Sequence, residues 1–424
     1  MYHNISNYIN NLNKNPNINL KYIKNHLINN KINNYIDNNK INNNNYIDNN
    51  YIDNNEIDNN EIKQFFDQND IINNDDEYIK IYTIKEDENI LNFYKILELY
   101  DIKYKKIEEI KNNDDNIYII LNYELLHHIP KRYIIYNIMD DERLLDKKNR
   151  NIITNSIKIL ENNIDRYEKY DKNIKKKILY QSLEMNEYYM IRNLISCNIL
   201  SYDKLYIEIK NDKIYCLTLD EYKYRKIEFI KQNINNLNKI EYYVGIKMEP
   251  GWIGCGMSYK VLINNFKNSN KNNITICEDD CKLPENFNDI YNKIIKYLEK
   301  QNYDIFVGVI ADFDKNTKIS KIEEVDGIMY IHINKFTSTV FNIYSRNICD
   351  TIIKWDHNNM DIINNTIDRY LQNIDLKIIT TYPYYFDCIN VQSTLWNVTF
   401  YDKMFFNSLK LLKQKIDLFF KNNK

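Results

Sequence analysis

The sequence predicts an α/β protein, and three observations carry that prediction. From about residue 77, apolar runs of strand length alternate with longer runs at helical spacing, the signature of parallel α/β units. At 424 residues the chain has room for more than one core, because single cores stop growing near roughly 250–300 residues. A break in composition also separates a repetitive beginning from the rest.

Residues 1–74 form a low-complexity arm. The unit YIDNN at 35–39 recurs at 46–50 and 51–55, and at 56–60 with Glu in place of Tyr. A five-residue period could build a solenoid. Each unit offers one Ile and at most one Tyr for burial, which does not offset the cost of ordering. Disorder is therefore the expectation.

Residues 75–205 read as one Rossmann-type α/β domain. EYIKIYTI (77–84) alternates as a strand does, and ILNFYKILELY (90–100) has helical spacing. NIYIILN (116–122) and RYIIYNI (132–138) are strand-like, NIITNSIKILENNIDRYEKY (151–170) reads as a helix, and KKILYQSL (176–183) as another strand. No glycine fingerprint follows any of these strands, so nothing here argues for a nucleotide. His127 and His128 are adjacent, and on a helix they diverge by about 100°. They read as surface or interdomain residues, and the domain itself as an acceptor-binding or degenerate half.

A second α/β unit spans 212–424. KIYCLTL (213–219), KIEYYVGI (239–246), NITIC (273–277), YDIFVGVI (303–310) and GIMYIHI (327–333) read as strands, the last after a hairpin. EYKYRKIEFIKQNINNL (221–237), 257–266, ENFNDIYNKIIKYLEKQ (285–301) and the C-terminal FFNSLKLLKQKIDLFFK (405–421) read as helices. KMEPGWIGCG (247–256) reads as a loop whose Gly251, Gly254 and Gly256 either cradle a diphosphate or make a tight turn.

Composition excludes several classes. A net charge of −2 and a pI near 6.4 give no electrostatic footprint for nucleic acid. No apolar run approaches the roughly 18 residues of a membrane span, and the N-terminus lacks the apolar core of a signal peptide. Seven cysteines without a CxxC pair argue for a reduced, cytoplasmic setting. Asn, Ile, Lys and Tyr dominate and Ala311 is the sole alanine, a bias that AT-rich coding explains.

One stretch stands out chemically. ITICEDDCKLP (274–284) ends a strand in three carboxylates, Glu278, Asp279 and Asp280. Ligands of open α/β sheets bind beyond the carboxyl ends of strands. In extended chain, residues two apart face the same way, so Glu278 and Asp280 can converge while Asp279 turns elsewhere. Two hard oxygen ligands suit Mg²⁺ or Mn²⁺. An acidic turn capping the following helix explains the triplet equally well. Cys277 and Cys281 flank it without the further ligands a zinc site needs, and Trp252 reads as a core aromatic.

The blocks around the triplet, taken in order, resemble glycosyltransferase family 25, the lipopolysaccharide and collagen-type galactosyltransferase group. Leu219-Asp220 with Arg225, Gly254–Ser258, the run ending at Asp280, the segment ending Ser345-Arg346, Asp368 and VQSTLW (391–396) follow the family's order over about 210 residues. Tyr259 departs from it, since the family usually has His there. The wording PGWIGCGMSY is similar to members from giant DNA viruses, which fits the coding bias. The resemblance implies a GT-A-type nucleotide-sugar domain with a divalent metal, Mn²⁺ or Mg²⁺. It implies transfer of a sugar from a UDP-hexose donor to a hydroxyl on a glycan or protein acceptor, with inversion. It places the metal on Glu278 and Asp280, and the donor near Asp220, Arg225, Gly254, Gly256, Ser258 and Glu278. Arg225 has the local alternative of pairing with Glu228 on its own helix. Asp312, Asp314 and Asp368 are the candidates for the catalytic base, each with a plain surface-acid alternative. The competing functional reading is a degenerate, non-catalytic relative serving as a structural protein of a large DNA virus.

Overall fold

The computed structural model describes residues 79–82, 88–100, 102–107, 118–120, 133–137, 156, 158–161, 172–180, 187–389 and 401–422. The arm 1–74, His127, His128 and the block 391–396 lie outside them.

Six short strands pair in parallel to make a first sheet: β1 (Ile79–Tyr82), β2 (Tyr104–Ile107), β3 (Tyr118–Ile120), β4 (Tyr133–Asn137), β5 (Lys158–Glu161) and β6 (Ile178–Tyr180), in the order β2-β1-β3-β4-β5-β6. Helix α1 (Glu88–Leu99) buries Phe93, Tyr94 and Leu97 at the spacing that predicted it. The segment 151–170 departs from its helical reading, because β5 runs through it between β4 and β6. Ile159 and Leu160 are both buried. A four-residue strand covered on both faces carries no alternation that periodicity could detect. Helix α2 (Lys172–Lys177) takes the first part of the run read as a strand at 176–183, leaving β6 only its apolar centre. Helix α3 (Glu187–Ser196) then buries Met190, Ile191, Leu194 and Ile195.

The second sheet is mixed. It contains β7 (Ile214–Thr218), β8 (Ile240–Val244), β9 (Asn273–Glu278), β11 (Ile305–Val307), β12 (Ile319–Val325), β13 (Ile328–Ile333), β14 (Phe341–Ser345) and β15 (Ile378–Tyr382), in the order β12-β13-β15-β11-β14-β9-β7-β8. Strands β7, β8 and β9 are parallel, whereas β14 runs antiparallel to both β9 and β11. A separate short ladder joins β10 (Cys281–Lys282) to β16 (Asp387–Cys388). The β12–β13 hairpin turns on Asp326-Gly327, both at positive φ (54° and 76°), the geometry for which Asp-Gly is preferred.

Alternation along β7 sets the layers. Tyr215 and Leu217 belong to one core, Ile214 and Cys216 to the other, and all four are buried. The first core is covered by helices α5 (Gly251–Lys267), α7 (Cys349–Ile353) and α8 (Ile367–Gln372). The second is covered by α4 (Lys223–Gln232) and α6 (Phe287–Leu298). Helix α6 buries Phe287, Ile290, Ile294 and Leu298 along one stripe, contributing roughly 1.5–3 kcal/mol for each side chain. Helix α9 (Tyr401–Asn422) places Phe405 in one core and Leu412 and Ile416 in the other.

The glycine-rich stretch is helix rather than loop: α5 starts at Gly251, directly after the cis Glu249–Pro250 peptide. Its glycines serve close packing. A Cβ on Gly254 would stand 2.6 Å from the Ile246 carbonyl oxygen, and one on Gly256 would stand 2.4 Å from the Trp355 ring.

Candidate functional site

The triplet sits where β9 leaves the middle of the second sheet. The Glu278 backbone N–H donates to the Val340 carbonyl at 3.0 Å, which ends the β9–β14 ladder. The chain then turns, and Asn233 at the end of α4 fixes it from below. Its Nδ2 donates to the Cys281 carbonyl at 2.9 Å, and its Oδ1 accepts from the Leu283 N–H at 2.8 Å. The carbonyl of Asp280 accepts from the Ile389 N–H, just beyond β16. The carboxylates are therefore held by backbone from several elements.

Asp279 and Asp280 lie in the turn beyond β9, where strand alternation no longer applies, and both carboxylates meet Arg225. Asp279 turns inward, where its Oδ2 accepts from the Thr218 hydroxyl at 2.9 Å and its Oδ1 accepts from Arg225 Nε at 2.7 Å. Arg225 Nη2 also donates to Asp280 Oδ2 at 2.9 Å. Arg225 is thus engaged by the triplet. The local partner Glu228 pairs with Lys231 instead, because burial in the first turn of α4 points Arg225 at the carboxylates. Burial raises the Asp279 carboxyl above its ordinary range, and Arg225 pulls against that rise.

Asp280 Oδ1 is buried and has no hydrogen-bond partner among the described residues. Burying a charged oxygen without a partner is costly. Beside it, burial and then the charge of Asp280 push the Glu278 carboxyl well above the usual carboxylate range, opposed by a hydrogen bond from Thr339. The Cys255 thiol lies 3.8 Å from Glu278 Oε1. Burial raises that thiol, followed by the charges of Glu278 and then Asp368, so Asp368 shares the neighbourhood.

Such a cluster fits a hard dication. Among the described residues no group of three or more His, Cys, Asp and Glu side chains forms a complete metal cage. A dication that keeps waters and substrate phosphates needs only one or two carboxylates, and Glu278 and the unpartnered Asp280 Oδ1 are the groups that could hold one.

The remaining sequence candidates fall in different places. Asp220 binds the Tyr189 hydroxyl and, at 3.3 Å, Lys226; burial opposes its charge, but Lys226 and Tyr189 hold it below the usual carboxylate range. Ser258 is 1 % exposed, donating to the Gly254 carbonyl and accepting from the Ile246 N–H, both at 2.7 Å. Together with the packing of Gly254 and Gly256, this makes that block a helix–sheet contact. Tyr259 is fully buried and donates to the Thr339 carbonyl at 3.0 Å. It supports the backbone of the residue that bonds Glu278. Asp312 pairs with Arg369 at 3.0 Å, and Asp314 with Lys335 at 3.5 Å. Asp368 Oδ1 accepts from the Thr366 hydroxyl at 2.7 Å and the Arg369 N–H at 2.9 Å. Trp252 is buried, edge-on to Trp355, and Cys277 and Cys281 are core residues. Sequence reasoning missed Thr218 and Thr339, two hydroxyls that no spacing rule marks.

No described helix is long and apolar enough to cross a membrane. No curated protein matches the sequence. Among solved structures, HddC from Yersinia pseudotuberculosis in complex with GMP-PN is 12 % identical over 47 % of this chain and 98 % of its own, with a TM-score of 0.22. The inositol-1-phosphate CTP transferase from T. maritima is 11 % identical over 53 % and 82 %, with a TM-score of 0.24. A UDP-glucose pyrophosphorylase complexed with UDP-glucose is 11 % identical over 70 % and 98 %, with a TM-score of 0.24. Likenesses at these TM-scores carry no argument. The family comparison does: residues 146–352 match the model of glycosyltransferase family 25 (LPS biosynthesis protein). That span holds Asp220, Arg225, the α5 block, the triplet, Asp312 and Asp314, and it stops short of Asp368. Residues 146–352, just under half of the chain, thus match glycosyltransferase family 25, and that match supports a glycosyltransferase.

Proposed function

We propose that the second sheet and its helices act as a GT-A-type domain that transfers a hexose from a UDP-sugar to a hydroxyl of a glycan or protein acceptor, with inversion. The observation that carries this reading is the buried, unpartnered Oδ1 of Asp280 beside Glu278, at the carboxyl end of β9. The separate hydrogen-bonded sheets support a division between a first unit at 75–205 and a transferase unit at 212–424.

Glu278 and Asp280 would hold a Mn²⁺ or Mg²⁺ ion, which would supply electrostatic stabilisation of a departing diphosphate. Arg225 and Thr218 keep the triplet in place. Asp368 takes the proton of the acceptor hydroxyl as its oxygen bonds to the anomeric carbon and the bond to the diphosphate breaks on the opposite face. Asp368 is favoured over the other two acids because its Oδ2 has no hydrogen-bond partner among the described residues and its charge reaches Cys255 beside Glu278. Asp312 is paired with Arg369. A hydrogen bond from the Asn316 N–H, then Lys335, holds Asp314 below the usual carboxylate range.

The decisive experiment offers a panel of UDP-sugars with Mn²⁺, with and without EDTA, and follows release of UDP. At least one donor should turn over, and EDTA should stop it. No turnover with any donor, together with no metal-dependent UDP binding, would leave the chain a non-catalytic relative. Asp368→Asn should lower kcat by about 10²–10⁴-fold while UDP binding is retained, and Asp314→Asn should leave both nearly unchanged. Equal effects in steady-state kinetics would remove Asp368 from the role of base.

A further inference from the structure

The second member of the triplet, Asp279, has surroundings that give it a role. Its two oxygens are taken by Thr218 from β7 and by Arg225 from α4. Arg225 therefore cannot swing, and its Nη2 stays on Asp280 Oδ2 at 2.9 Å. The three side chains are 7, 8 and 10 % exposed for Arg225, Asp279 and Asp280, so water does not compete for these contacts. The consequence is an asymmetric Asp280 carboxylate, with Oδ2 covered by a guanidinium and Oδ1 without a partner.

We propose that Arg225, locked by Asp279 and Thr218, is a positioning residue that restricts Asp280 to one-oxygen ligation and so makes the site discriminate against Ca²⁺ in favour of Mn²⁺ and Mg²⁺. This rests on the reading above that Asp280 holds a cation. A carboxylate that chelates through both oxygens needs both open on the metal side. Ca²⁺ gathers six to eight oxygens at 2.3–2.6 Å and readily uses bidentate carboxylates. Mg²⁺ demands near-octahedral geometry at 2.0–2.1 Å, accepts single carboxylate oxygens and keeps several waters. A guanidinium fixed on Oδ2 blocks the first arrangement, electrostatically and by position, and leaves the second intact. Guanidinium suits this task because its planar fork reaches two carboxylates at once from one rigid geometry. A lysine has a point charge and cannot span both.

The test is binding of the metals alone to the full chain, with no turnover involved. Mn²⁺ binding is followed by loss of its free-ion EPR signal, and Ca²⁺ is titrated in as competitor, for the native chain, Arg225→Lys and Asp279→Asn. The native chain should hold Mn²⁺ and resist Ca²⁺. In both variants the preference for Mn²⁺ over Ca²⁺ should fall about tenfold or more as Asp280 Oδ2 comes free. Retention of the native preference in variants that bind Mn²⁺ overturns the clamp and leaves the cation site standing. Absence of Mn²⁺ binding in the native chain, with and without UDP, overturns the cation site and the clamp with it. If Arg225→Lys or Asp279→Asn fails to fold, Thr218→Val releases Asp279 at one hydrogen bond, and the same ratio decides.

Discussion

Asp280→Asn is expected to abolish metal-dependent UDP binding and to lower kcat/KM for transfer by about 10³-fold or more, a loss of roughly 4 kcal/mol of transition-state stabilisation. The amide keeps an oxygen for Arg225 Nη2, so the contact that holds the turn survives. What disappears is the negative charge on the oxygen that has no other partner. A neutral amide oxygen is a poor substitute for a carboxylate toward a hard dication. Circular dichroism should show native structure, and calorimetric titration of UDP with Mn²⁺ should show no binding above that measured in EDTA. Unchanged binding in a folded variant would falsify the assignment of Asp280.

Arg192→Met should destabilise the chain by about 3–5 kcal/mol, the range for removing one partner of a fully buried ion pair. Arg192 and Glu221 have side chains 0 and 1 % exposed and lie 3.0 Å apart. Arg192 Nε also donates to the Gly245 carbonyl at 2.6 Å, and Glu221 Oε1 accepts from the Tyr180 N–H at 2.9 Å. The pair therefore ties α3 and β6 of the first sheet to the ends of β7 and β8. Removing the cation strands a buried carboxylate, which is where the cost arises. The double variant Arg192→Met/Glu221→Leu should recover a large part of the loss in urea unfolding. A double variant as unstable as the single one would show that packing, and not the stranded charge, sets the cost.

Five of the eight strands of the second sheet, β7, β8, β9, β11 and β13, were legible because each is short, apolar and bounded by polar turns, whereas β12, β14 and β15 were not read as strands. β7, β8, β11 and β13 fall inside the runs that predicted them, and β9 runs one residue past its run, to Glu278. Two local readings failed for local reasons. β5 is too short and too evenly buried to display a period. The start of α5 is rich in glycine, which normally argues against helix. Here the approach of Ile246, Met248 and Trp355 leaves no room for side chains, and packing outweighs propensity.

Arg225 marks the limit of sequence reading at the site. Within its helix it had Glu228 as a partner and, by resemblance, a donor phosphate. Glu228 pairs with Lys231 instead, and Arg225 meets Asp279, because β7 and β9 are parallel neighbours and bring a residue 54 positions away within 2.7 Å.

The sequence alone determined the α/β class and the placement of Glu278–Asp280 at a strand end. These follow from periodicities of two and 3.6, which are properties of the local backbone. Tertiary structure decided strand order and direction, which oxygens of the triplet are covered, and that α3 anchors on β7 and β8. Those depend on contacts between residues distant in sequence, and in a chain with so uniform a vocabulary of Asn, Ile, Lys and Tyr, no local pattern encodes which of them will meet.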